Sequence, residues 1–154
     1  MNVTFPPLQA RNLNGRTFNL PTDLGGRYAV LLIAFQRWHQ DLVDGWFPFL
    51  DRLLALYPEL RAYELPMIGG AYSLARPFID GGMAASIGDP AVRERTLTIY
   101  TDVRRAMAAL AIRSNETITL LLVDRSGTIF WREEGAFQAE RAAGLERTCA
   151  ALLV

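Results

Sequence analysis

The run YAVLLIAF at residues 28–35 constrains the fold more than any other stretch, because it is apolar throughout and leaves no polar face. A half-buried strand alternates apolar with polar residues, and an amphipathic helix repeats them at three and four. A short run that is apolar on both faces suits a strand in the middle of a sheet covered by helices on each side. Residues 29–35 are therefore predicted as a central strand. The run falls far short of the roughly 20 residues that a helix needs to cross a bilayer, so no membrane span is expected.

The segments around it alternate between helical and extended patterns, with no repeat and no low-complexity linker, as one α/β domain over residues 1–154 would. NLNGRTFNL places a turn at Asn14-Gly15 between two short extended pieces. Val43, Trp46, Phe47, Leu50, Leu53, Leu54 and Tyr57 recur at helical spacing, which predicts a helix over 43–56 with Pro48 near its start or kinking it. Residues 63–68 read as a second strand, and Ser73 as the cap of a helix through Leu74, Phe78 and Ile79 that Gly81 and Gly82 interrupt. Residues 96–100 form a further strand, Asp102 caps the helix DVRRAMAALAI, and TITLLLVDRSGTIFWRE is a hairpin turning at Asp124-Arg125-Ser126-Gly127. Residues 138–153 close the chain as a helix.

Composition removes several functions. With 51% hydrophobic residues, 21% charged residues and zero net charge, the chain has no basic footprint for nucleic acid. All 16 basic residues are Arg, so a lysine Schiff base and a lysine-bearing phosphate loop are excluded by inventory. The single histidine, His39, cannot build a zinc site without cysteines or several carboxylates, and no metal or cofactor is expected. The single cysteine, Cys149, cannot form an internal disulfide, and its setting in LERTCAALLV reads as a buried apolar position. The first residues lack the pattern of a secretion signal, so a cytoplasmic protein is expected.

The order strand, helix, strand, helix, hairpin, terminal helix resembles the thioredoxin-like fold, a mixed central sheet flanked by helices; in that family the apolar strand leads into Trp-Cys-x-x-Cys at the start of the next helix. Phe35 and Trp38 match that pattern, whereas His39 stands at the first cysteine and Leu42 at the second. The resemblance thus implies a redox-inactive branch, and SNETITLLLVD also lacks the family's proline ahead of the hairpin, showing Thr117 or Ile118 instead. A narrower resemblance, over residues 35–140, is to the cysteine-less assembly-factor family of mitochondrial ATP synthase, carried by Phe35, Arg37, Trp38, Trp46, Pro48 and Phe49 and by Leu122, Val123, Asp124, Ile129 and Trp131. The Arg-rich amphipathic start of a mitochondrial targeting segment is missing from the first residues.

These readings make the chain a protein-binding or chaperone-like assembly module rather than an enzyme, with a protein or peptide as partner. Trp38, His39 and Gln40 at the turn, with Phe78 and Met83 on a glycine-containing flap over 75–90, are the expected contact residues. Trp46 is expected in the core, and His39 as a polar residue exposed to solvent or bonded to Asp41. Two alternatives stand beside this reading: an oxidoreductase working through Cys149, and a structural homodimer.

Overall fold

The computed structural model describes residues 3–69 and 90–153. Its strands are β1 (Leu8–Asn12), β2 (Thr17–Leu20), β3 (Tyr28–Ala34), β4 (Leu60–Gly69), β5 (Leu97–Thr101), β6 (Thr119–Asp124) and β7 (Ile129–Glu134). Its helices are α1 (His39–Leu56), α2 (Pro90–Arg95), α3 (Val103–Ala109) and α4 (Ala139–Leu153). The strands form one mixed sheet in the order β2-β1-β5-β4-β3-β6-β7. β3 pairs parallel with β4 on one side and antiparallel with β6 on the other. The apolar run is therefore interior to the sheet, and it ends one residue earlier than the pattern predicted, because Phe35 turns out of the ladder toward α1.

Among the described residues the sheet has seven strands, and the extended pieces on either side of the Asn14-Gly15 turn are joined to it rather than standing apart. At the amino terminus the Asn14-Gly15 turn forms a hairpin, and β1 then pairs antiparallel with the edge of β5. Arg11 and Asn12 alone make that contact with Thr98 and Leu97, too short a register to announce itself in hydrophobic patterning. Gly15 takes φ +86° at the turn, where a side chain would be strained.

Two apolar layers follow from strand alternation. Leu31, Ile33, Leu121 and Val123 face one side, where the β1–β2 hairpin and Ala106 and Leu110 of the α3 region pack on them. Val30, Leu32, Leu120 and Leu122 face the other, under Trp46, Leu50 and Leu53 of α1 and Ala142, Leu145 and Cys149 of α4. Trp46 is fully buried, as expected; its ring meets Phe49, Trp131 and Phe137 edge-on, and its Nε1 donates to the Gly135 carbonyl at 3.0 Å. Pro48 lies inside α1, which begins four residues earlier than predicted.

The hairpin turn is as the sequence indicated. Asp124 Oδ1 accepts from the Ser126 and Thr128 amides, and Gly127 sits at φ +90° against the Phe5 carbonyl, where a β-carbon would come within 2.8 Å. Asp102 caps α3 by accepting from the Arg105 amide at 3.2 Å. The predicted cap at Ser73, the helix through Phe78 and the flap with Met83 lie outside the described residues.

Candidate functional site

The site is the turn that carries the chain from β3 into α1. Its backbone tightens through three hydrogen bonds that each span three residues, from the amides of His39, Gln40 and Asp41 to the carbonyls of Gln36, Arg37 and Trp38, at 3.0 to 3.3 Å. These bonds occupy the leading N–H groups of α1 with backbone oxygens. The positive end of the helix is thereby closed to an anion and contributes only its dipole. Trp38 occupies the cap position without using its side chain, and the residue is left 58% exposed.

His39 is not the solvent-facing residue that was expected: its side chain is fully buried. Nδ1 accepts from the Phe35 amide at 3.0 Å and from the Gln36 amide at 3.2 Å, rather than bonding Asp41. A nitrogen that accepts two N–H groups carries a lone pair, so the ring is neutral with its proton on Nε2. Burial holds the imidazole below its ordinary pKa, opposed by the nearby Glu116 backbone. Nε2 itself has no hydrogen-bond partner of acceptable geometry. The rings of Trp38 and Phe35 stand edge-on to the imidazole at 4.5 and 6.4 Å. His39 thus lies beneath Trp38 and braces the turn from inside.

Gln40 is similarly committed. Its Nε2 donates to Asp44 Oδ1 at 2.9 Å and to Glu64 Oε1 at 3.0 Å. Glu64 is buried in β4, and its other oxygen accepts from Arg95 Nε at 3.1 Å. The Arg95 guanidinium in turn lies 3.8 Å from the Phe47 ring centre, so one connected set of polar groups ties α1 to β4 and to the end of α2. Sequence reasoning missed Glu64 and Arg95; a lone carboxylate in the apolar strand pattern of YELPMI was the available signal. The turn also meets the loop before β6, where Gln36 Nε2 donates to the Asn115 carbonyl at 3.3 Å. Of the predicted contact residues, Trp38 and Gln40 are exposed, His39 is buried beneath Trp38, and Phe78 and Met83 are outside the described residues.

Chemically, the turn offers no nucleophile. Cys149 is far along the chain in α4, fully buried among the apolar residues beneath α1, and burial pushes its thiol up to about 11. At neutral pH it is a thiol and not a thiolate. Among the described residues no group of three or more histidine, cysteine or acidic side chains is placed to hold a metal, and no helix is long and apolar enough to cross a membrane.

The architecture is that of a thioredoxin-like fold, and solved structures of that class superpose on nearly the whole chain. The exposed lipoprotein thioredoxin Etrx1 from Streptococcus pneumoniae matches at 12% identity with a TM-score of 0.61, covering 94% of this chain and 99% of its own. Yeast Sco1 matches at 14% identity and TM-score 0.66, covering 99% and 97%; BsSco, a member of the Sco family of cytochrome c oxidase assembly proteins, matches at 10% and 0.62, covering 98% and 94%. No family model matches the sequence, and no curated protein does. Identities this low establish the fold alone.

Proposed function

We propose that the protein is a redox-inactive thioredoxin-fold module that binds a segment of another protein in an assembly or chaperone-like role, and that it is not an enzyme. The observation that carries this reading is the pairing of Trp38 with His39: a large aromatic, 58% exposed, rests on a neutral, buried imidazole at the place where the family resemblance puts a reactive cysteine. An exposed, braced tryptophan is the type of residue that anchors a partner, since it supplies contact area at little cost in side-chain entropy. The assembly role draws support from the likeness to Sco1 and to BsSco, a member of the Sco family of cytochrome c oxidase assembly proteins. A reducing compartment such as the cytoplasm suits the lone thiol.

The test is capture of partners from the source cells by the tagged protein and by its Trp38→Ala variant, compared by mass spectrometry. The reading expects a discrete set of partners that the variant loses while its melting transition is retained. An identical set with both proteins would move the contact surface elsewhere. In parallel, insulin and peroxide reduction should not exceed a no-protein control; thiol-dependent turnover that disappears in Cys149→Ser would establish the oxidoreductase alternative instead.

The homodimer reading has one observation of its own. An apolar groove of about 260 Å³ lies between α1 and α4, with Leu56 65% and Phe137 37% exposed at its rim. A concentration-dependent mass in light scattering, abolished by Leu56→Glu, would favour it.

A further inference from the structure

The exposed indole of Trp38 is not the only surface feature at this end of the sheet. Beside the turn, along α3 and the loop that follows it, runs an open groove of about 490 Å³ lined by Arg104, Met107, Ala108, Ile112 and residues 113–116. The hydrogen bond from Gln36 to the Asn115 carbonyl joins the groove's loop wall to the Trp38 turn, so the two features adjoin. Arg104 stands on the helix wall and Arg113 on the loop wall, and neither has an ion-pair or hydrogen-bond partner among the described residues. In the same lining Met107, half-buried, and Ile112, buried, give the groove an apolar part. Glu116 shares the rim and bridges neither arginine.

We propose that this groove takes an acidic, apolar segment of an extended protein chain, with a hydrophobic side chain over Met107 and carboxylates placed toward Arg104 and Arg113. The inference rests on reading the Trp38 turn as a peptide-docking face, and it adds the chemistry of the partner. One cation on the helix and one on the loop, with apolar side chains in the same lining, complement a segment that mixes acidic and apolar residues. The guanidinium fork suits a carboxylate, and a protein with no lysine has only such forks to offer. Glu116 and the apolar part disfavour a bare polyphosphate backbone, which would gain nothing from Met107.

The experiment uses the whole chain, labelled for NMR, titrated with three synthetic peptides: Glu-Asp-Leu-Phe-Asp-Glu, its neutral counterpart Gln-Asn-Leu-Phe-Asn-Gln, and its basic counterpart Arg-Lys-Leu-Phe-Lys-Arg. The acidic peptide is expected to shift the amides of Ala108, Ser114 and Asn115 and to bind several-fold more tightly than the neutral one. Its affinity should fall with added salt, and the double variant Arg104→Glu, Arg113→Glu should weaken it about tenfold and favour the basic peptide. The same variant must keep the wild-type melting transition, which two exposed arginines free of partners allow. Equal binding of all three peptides, or shifts that map away from the groove, overturns the inference. If the neutral peptide shifts the Trp38 indole and charge makes no difference, the docking reading stands and the acidic specificity falls. Groove shifts with an unmoved Trp38 would retain the groove and remove Trp38 as anchor. Tighter binding of an oligodeoxythymidylate than of the acidic peptide, lost in the same double variant, would assign the groove to nucleic acid and overturn the proposal.

Discussion

Replacing His39 isolates what the turn gained with its histidine. In the native protein Nδ1 serves two backbone amides, at 3.0 and 3.2 Å, and the ring is fully buried. His39→Ala removes the one acceptor that serves both amides, at a net cost of about 1 kcal/mol for each hydrogen bond, and leaves a cavity under Trp38 that adds about 1–2 kcal/mol. Against this, the substitution also removes Nε2, a buried donor with no partner, whose desolvation cost of about 1–2 kcal/mol vanishes with it. The balance is a loss of about 2 kcal/mol near neutral pH, read as a shift in the urea midpoint at constant slope. His39→Asn is the discriminating variant, because an asparagine Oδ1 falls close to the position of Nδ1 and can accept from the same amides without titrating.

The pH dependence follows from the same geometry. Protonating Nδ1 would set an N–H against two N–H donors, and burial already depresses the folded-state pKa below the unfolded value of about 6.5. In the window between those two values the unfolded chain binds more protons than the native one, so stability rises with pH across it. The contribution is complete above about pH 6.5 and is lost as the pH falls toward the folded pKa. Wild type should therefore lose stability in that acid window relative to His39→Asn, whose profile is flatter there. If Ala and Asn cost the same, and the acid slope survives in His39→Asn, then the imidazole does not hold the turn through Nδ1 and the account of the site is wrong.

Other expectations are direct. Trp38→Ala should leave the melting transition almost unchanged, whereas Trp46→Ala, which empties a fully buried site and orphans the Gly135 carbonyl, should cost about 3–5 kcal/mol by chemical denaturation. Cys149 should resist thiol labelling in native buffer and react fully in denaturant; rapid native labelling would contradict both its burial and its raised pKa. Gly45→Ala, in mid-helix with open space around a built β-carbon, should stabilise by about 0.5–1 kcal/mol. Ala111 ends α3 at φ +55°, with the Ile112 amide reaching back to the Met107 carbonyl, so Ala111→Gly should raise stability by about 1 kcal/mol in the same denaturation assay.

How much of this was legible depended on which physical rule governed each residue. The strand at 28–34 and the helix containing Trp46 were read correctly because burial on a sheet or a helix face imposes a period that side chains must obey. Asp102 and Gly127 were legible because a cap and a left-handed turn each demand a particular chemistry from a single position. The pairing of β1 with β5 was not, since backbone hydrogen bonds between segments distant in sequence leave no trace in composition. His39 shows the same limit from the other side. A lone polar residue at a helix start reads as solvated on average, and only the approach of two backbone amides from the preceding turn makes burial of an imidazole tolerable.

At the start of α1 one buried polar side chain, His39, and one exposed polar side chain, Gln40, stand within reach of an exposed tryptophan. A turn this short would fray if its only support were apolar packing, because Phe35 is half-buried and Gln36, Arg37 and Trp38 lie in solvent. His39 ties the turn to the end of β3 through the amides it accepts, and Gln40 ties it to β4 through Glu64, which Arg95 neutralises from α2. Each tether alone would leave a buried polar group short of a partner. Together they fix the backbone on both sides of Trp38, so that the indole is presented from a rigid base. A partner that docks on it then loses less to ordering the surface than it would on a mobile loop, and a larger share of the contact energy appears as affinity. Glu64→Gln should accordingly weaken peptide capture while Trp38 itself is intact, because Arg95 loses its counter-charge and the Gln40 tether loosens. Unchanged capture and unchanged hydrogen exchange at residues 36–40 in that variant would show that the rigid base does not depend on the Glu64 set.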